Sequence, residues 1–310
     1  VPWLYTDVDS HGKTSVSVEI VFRMNNRPFL GSDAVRQGRL TRTALRRDHR
    51  RIYRDVYIRR TDEIDAKTRA CAAWLFSRGK AVVAGQSAAA IHGNKWIAAD
   101  HRAELIWHGH RRLSDVIEIR GDKLPPEHIE TIGGIRVTTA ARTAFDLGRR
   151  GQFEEALIQV DGLCNATSMP PRTIEQLAGQ CKGVRGSIQL RHVVAHADAG
   201  AESPQESRLR LLIVNAGLPR PLTQIAVRGT DGRVFARIDM GWAKWKVAVE
   251  YDGHHHWSDA RQRAWDIERA HRLETLGWTV IRVSSQLLSR SPTALIARIR
   301  DALRAAGAPV

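Results

Sequence analysis

From Asp239 to Asp252 the chain reads Asp-Met-Gly-Trp-Ala-Lys-Trp-Lys-Val-Ala-Val-Glu-Tyr-Asp, and His254-His255-His256-Trp257 follow after Gly253. Carboxylates beside imidazoles are side chains that hold cations and move protons. Val247, Val249 and Tyr251 alternate with Lys246, Ala248, Glu250 and Asp252. That period of two predicts a β-strand carrying the charged set on one face. Two positions apart on a strand, Glu250 and Asp252 would stand roughly 6.6 Å from each other. A turn within 241–245 brings Asp239 back near Glu250. Two or three converging carboxylates repel one another unless a cation neutralises them, and such hard oxygen ligands suit Mg²⁺ rather than zinc. A solvated polar face on an edge hairpin gives the same alternation, so the residues alone leave both readings open.

The surrounding pattern predicts what must hold this hairpin. Ser203-Pro204-Gln205-Glu206 fits a capping box with proline at the first helical position, opening a helix that stops at Gly217. Glu206 is therefore either a helix cap or a neighbour of the acidic site. Strands at 224–227, 234–239 and 246–251 form a meander. A long helix at 257–276, a buried strand at 278–283 and a closing helix at 292–306 complete an α/β sandwich.

Composition narrows the function classes. The 310 residues predict two or three domains, and 43% hydrophobic content suffices for real cores. No apolar run approaches the ~20 residues of a membrane span. Cys71, Cys164 and Cys181 lack Cys-x-x-Cys spacing, which argues against a disulfide framework or zinc knuckle and for a reducing, cytoplasmic compartment. The formal charge is +15, so the chain will seek a polyanion. The charge is concentrated: ten arginines between Arg36 and Arg60 face only Asp48 and Asp55, a local excess of eight. Such a cluster is the footprint of a phosphate-binding surface.

Four regions are expected. Residues 1–23 form a peripheral leader, with the ordered protein beginning near Met24. Residues 24–94 read as a winged helix-turn-helix. There a short helix capped by Ser32 stops at Gly38, a second helix covers 41–48, and a tight hairpin joins 51–53 to 56–58. The second helix would enter a DNA major groove. Arg39, Thr41, Arg42, Thr43, Arg46, Arg47, Arg50, Arg51 and Arg54 are the candidate DNA contacts, with Arg50, Arg51 and Arg54 reaching the backbone. Ser87 is expected to cap a helix ending at His92. Residues 95–199 read as a middle α+β domain without a catalytic constellation, and residues 200–310 as the domain that carries the acidic hairpin.

At this level the sequence resembles two known groups. Asp239 … Val-Glu250-Tyr-Asp252-Gly253 … His256-Trp257 … Arg263-x-x-Asp266-x-x-Arg269 … Leu273 … Gly277-Trp278-x-Val280 looks like the Vsr-like branch of the PD-(D/E)XK nuclease superfamily. The likeness covers roughly 202–303. Gly38-x-Leu-Thr-Arg, Asp55-Val-Tyr57, Ser87-Ala-Ala-Ala-Ile-His-Gly93 and Thr138-Thr-Ala-Ala-Arg142-Thr-Ala-Phe-Asp146-Leu147 resemble the AbiEi-type antitoxins of type IV toxin–antitoxin systems. The resemblance implies an α/β fold of actinobacterial type: a winged helix-turn-helix, a middle α+β domain and a restriction-endonuclease-like α/β/α domain. It implies Asp239 and Glu250 as the Mg²⁺-binding acidic pair and Glu206 as the helix acid. The superfamily lysine two residues after the acid is replaced here by Asp252, and Ile238 stands where a proline would precede the aspartate. His256, or His254, is expected as base or water-orienting group, and Lys246 as a cation for phosphate charge. Three functions are consistent with these residues. One is a Mg²⁺-dependent endonuclease acting on double-stranded DNA. Another is a repressor and antitoxin with a cognate toxin as partner and a silent nuclease fold. The third is a DNA-repair accessory that recognises distorted duplex without cutting it. A homodimer is an expectation for any of them.

Overall fold

The computed structural model describes residues 27–108, 116–181, 183–229, 231–252 and 260–310, with the backbone alone for 260–264. The expected leader and Met24 lie outside these residues. The first elements are β1 (Phe29–Leu30), α1 (Gly31–Arg36), α2 (Arg42–Asp48), β2 (His49–Tyr53) and β3 (Val56–Arg59). Gly38 takes the left-handed conformation (φ +67°) that a tight exit from a helix requires. Thr41 caps α2 by accepting the Ala44 N–H at 3.1 Å. Leu45 is the residue α2 buries, and its arginines stay outside. β2 and β3 form the antiparallel hairpin, and β1 adds to β3. Ser32 does not cap α1, which starts at Gly31 after Leu30. Its hydroxyl instead donates to Asp55, which also accepts from Arg78. Asp55 sits at φ +64° in the hairpin turn and so ties the hairpin to α1 and to Arg78, just past the end of the following helix.

Next come α3 (Ala66–Phe76), β4 (Val82–Val83), α4 (Gly85–Ile91), β5 (Ala103–Ile106), β6 (Ile117–Arg120), β7 (Ile129–Ile132) and β8 (Ile135–Thr138). The strands form one mixed sheet in the order β6-β5-β4-β8-β7, which straddles the boundary expected at residue 94. Tyr53 and Val56 of the hairpin share a core with Ala70 and Ala73 of α3 and with Val83, Leu105 and Val137 of the sheet. Ser87 is buried inside α4 rather than capping it, and its Oγ accepts the Glu104 N–H. Four helices follow: α5 (Ala140–Gly148), α6 (Phe153–Thr167), α7 (Arg172–Gln180) and α8 (Ser187–His196). They pack round Phe145, Leu157, Val160, Leu163, Ile174 and Leu190.

The last block holds α9 (Pro204–Asn215), β9 (Leu222–Arg228), β10 (Val234–Trp242), β11 (Val247–Asp252), α10 (Ala260–Thr275), β12 (Thr279–Ser284), α11 (Ser285–Arg290) and α12 (Pro292–Ala305). Its sheet runs β12-β11-β10-β9. The meander is antiparallel, and β12 lies parallel to β11. A parallel return needs a crossover, which α10 supplies. Both faces are covered. Leu209 and Ile213 of α9 and Leu295, Ile299 and Leu303 of α12 pack on Met240, Val247, Val249 and Ile281. On the opposite face Leu273 of α10 meets Ile238 and Ala248. The hairpin is thus the centre of a three-layer α/β/α unit and not an edge with a solvated face. Full burial of each such aliphatic side chain stabilises by about 1.5–3 kcal/mol.

This block is fastened to the helical one by a buried ionic group. Asp161 of α6 and Arg210 of α9 are 0% and 1% exposed, with Nη2 and Oδ2 2.5 Å apart. The other partners of Asp161 are the Ser207 hydroxyl at 2.6 Å and the Asp198 N–H at 2.8 Å. Burial outweighs these partners and pushes the Asp161 carboxyl up to about 6.

Candidate functional site

Asp239 and Glu250 stand on the two central strands where their pairing ends. Ladder pairs run from Trp242–Val247 to Met240–Val249. The Tyr251 N–H then donates to the Asp239 carboxylate at 2.9 Å, so a side chain takes the place of a strand partner. Gly241 permits this tight hairpin, because a Cβ there would lie 2.4 Å from the Val247 carbonyl oxygen. The turn falls at 243–246, where Lys246 has φ +51°.

Glu206, on the first turn of α9, closes the capping box. Its carboxylate accepts the Ser203 hydroxyl at 2.8 Å and the Glu202 N–H at 2.9 Å, and Ser203 Oγ accepts the Glu206 N–H at 3.2 Å. The cap reading of Glu206 is therefore realised, and contributes about 1 kcal/mol. The same carboxylate also acts on the site. Burial, then the charges of Glu206 and Glu250, push Asp239 up to about 7, against the opposing Tyr251 N–H and Arg269. Glu206 is itself raised, by its burial first. Three acidic side chains from α9, β10 and β11 thus share one electrostatic neighbourhood.

One cation lies directly on that group. Arg269 of α10 grips Glu250 with both Nη atoms, at 3.1 Å to Oε2 and 2.5 Å to Oε1, and donates to the Arg237 carbonyl at 3.1 Å. Glu250 is 11% exposed and Arg269 15%. Asp252, at the end of β11, is exposed. Lys246 is not on the strand face expected of it. It ends the turn, and its Nζ donates to the Leu276 carbonyl at 2.8 Å, at the C-terminal end of α10. His254 and His256 lie outside the described residues. Among the described residues no three His, Cys, Asp or Glu side chains are grouped to hold a metal ion. Glu250 is turned to Arg269 and Glu206 to its cap.

The donor chemistry nevertheless suits one hard divalent cation. Asp239 and Glu250 offer carboxylate oxygens from adjoining strands. Mg²⁺ commonly takes only one or two carboxylates and keeps water in its other positions. The charge repulsion held at Asp239 is what such an ion would relieve.

The basic segment divides into free and committed arginines. Arg42, Arg46, Arg51 and Arg54 are exposed, as is Thr43, while the exposed Arg39 donates to the Gln37 side chain. Thr41 spends its hydroxyl oxygen on the α2 cap. Arg47 pairs with Asp48 at 2.8 Å on the surface. Arg50 is half-buried and donates to the Asp62 carbonyl, so it is bound to the protein rather than presented outward. Sequence reasoning overlooked two features. Arg269 was visible only as a motif position without a role, and the Asp161–Arg210 pair carries no local signal because its partners are far apart in the chain.

Comparison with known proteins agrees with the C-terminal architecture. The family model REase_MTES_1575, which is restriction-endonuclease-like, matches residues 223–303, so the chain ends in a nuclease-type fold. Two Mycobacterium tuberculosis proteins are similar over most of the chain. They are uncharacterized protein MT2308 (strain CDC 1551 / Oshkosh) and uncharacterized protein Rv2248 (strain ATCC 25618 / H37Rv). Each is 28% identical over 262 residues, covering 83% of this chain and 94% of its own length. No solved structure matches significantly. Among the described residues no helix is long and apolar enough to cross a membrane.

Proposed function

We propose that this chain is a DNA-binding protein whose C-terminal domain hydrolyses phosphodiesters with a divalent cation, Mg²⁺ by its ligand chemistry. One observation carries the reading: Asp239 is buried beside Glu206 and Glu250, and burial first, then their charges, raise its carboxyl to about 7. Perturbed carboxylates are enriched where chemistry is done, which supports the reading. Asp239 and Glu250 would hold the ion, and Glu206 adds negative potential from the start of α9. The bound ion would polarise the scissile phosphate and acidify a water. Tyr251 N–H fixes the orientation of Asp239. His256 remains the expected base on sequence grounds.

Residues 24–94 act in this proposal as a winged helix-turn-helix module that brings duplex DNA to the site, and residues 95–199 as the frame between them. The order helix, glycine turn, helix, hairpin and the exposed arginines of α2 and the hairpin support it. The protein should nick supercoiled DNA in Mg²⁺ and not in EDTA. Asp239→Asn should retain gel retardation of DNA and lose nicking. Nicking by Asp239→Asn at the wild-type rate would exclude this site.

The capture of Glu250 by Arg269 favours a second reading. In it the acidic group is permanently neutralised and the chain is an AbiEi-like repressor with a cognate toxin. Specific retardation of its own promoter DNA, with no nicking under any divalent ion, would favour that role.

A further inference from the structure

Carboxylates repel the phosphodiester they are meant to serve, so a site of this kind needs a cation that can reach the phosphate oxygens. Arg282, the ladder partner of Glu250 on β12, is exposed and forms no ion pair among the described residues; three other cations lie nearby. Lys246 is turned to the Leu276 carbonyl, away from the group. Arg237 is 57% exposed and paired with Glu202 at 2.7 Å. Arg269 lies directly on Glu250, mostly buried and oriented by the Arg237 carbonyl. Its three bonds use both Nη groups and leave other N–H donors of the guanidinium uncommitted among the described residues.

We propose that Arg269 is the phosphate-binding catalytic residue of this site, held on Glu250 until DNA arrives. This rests on the nuclease reading above. The guanidinium fork fits a carboxylate and a phosphate in the same bidentate manner, so exchanging one for the other conserves its hydrogen bonds. As Arg269 moves to the phosphodiester oxygens, Glu250 regains both carboxylate oxygens for a cation beside Asp239. Cation capture and substrate binding are thereby linked: free protein binds the ion weakly, and DNA-bound protein binds it well.

The test uses the full chain as wild type, R269K and R269M, with Mn²⁺ affinity measured by calorimetry and nicking of supercoiled plasmid measured in Mg²⁺. Removing the competing guanidinium should tighten Mn²⁺ binding by R269M about tenfold, equivalent to about 1.4 kcal/mol. Nicking by R269M should fall about 100-fold or more, the usual cost of one lost charge-stabilising donor. R269K keeps the charge without the fork and should nick at an intermediate rate. If R269M proves unfolded by circular dichroism, R269K carries the test alone, with nicking slower than wild type and Mn²⁺ affinity raised. Wild-type nicking by R269M would overturn the proposal and leave the nuclease reading intact. Mn²⁺ binding weakened tenfold or more would also overturn it, because Arg269 would then only position Glu250. Absence of nicking by wild type, together with tighter Mn²⁺ binding by R269M, would refute the nuclease reading and the phosphate role while upholding the counter-ion exchange.

Discussion

Asp239→Asn should make the metal-free protein more stable at alkaline pH, although it removes a residue central to the proposed activity. In the fold the Asp239 carboxyl rises from 3.8 to about 7, because burial and the charges of Glu206 and Glu250 disfavour its ionised form. Folding therefore binds a proton at this position more tightly than the unfolded chain does. Stability contributed by the protonated carboxyl is present in full below about pH 4 and is lost as pH rises towards 7. At about 1.4 kcal/mol per unit the whole shift has a ceiling of roughly 4 kcal/mol. Asparagine keeps an acceptor for the Tyr251 N–H and never ionises. Its advantage over wild type should grow by about 2.5 kcal/mol between pH 5 and pH 8. Urea denaturation in EDTA, followed by circular dichroism at both pH values, measures this directly. An advantage that is constant with pH, or largest at pH 5, would refute the electrostatic account of the site.

Asp161→Ala leaves the Arg210 guanidinium buried without its carboxylate and should cost about 3–5 kcal/mol in urea denaturation. Coupling Asp161→Leu with Arg210→Met should recover much of that loss, and simple additivity would contradict the ion-pair explanation. Replacing Arg51 or Arg54 by Ala should weaken DNA binding similarly for all sequences. It should also lower the slope of log affinity against log salt by about one unit per phosphate contact, as read by fluorescence anisotropy. Gly241→Ala places a Cβ against the Val247 carbonyl oxygen at 2.4 Å. It should destabilise by about 1–3 kcal/mol and lower Mn²⁺ affinity, because it deforms the hairpin that presents Asp239 and Glu250.

The acidic hairpin was legible because strand alternation and a capping box are local patterns. Val247 and Val249 sit in the core, and Ser203 and Glu206 cap each other, as their spacing implies. Readings failed where a side chain was claimed by a distant partner. Ser32 and Ser87 have the types and positions of helix caps, yet Asp55 takes the first and the Glu104 amide the second. Lys246 alternates correctly with the strand but falls in the turn, one residue before β11 begins. Arg50 belongs to the same basic run as its exposed neighbours and is drawn inward by Asp62. The mixed order of the five-stranded sheet depends on long-range pairing, which leaves no periodic trace along the chain.

The central claim is that the carboxylates around Asp239 capture a divalent ion. Calorimetric titration of the full chain with Mg²⁺, in the presence of a short uncleavable DNA duplex, tests it most directly. Saturable binding by wild type that is lost in both Asp239→Asn and Glu250→Gln is the predicted result. Binding that survives both substitutions, or no binding by wild type, would contradict it.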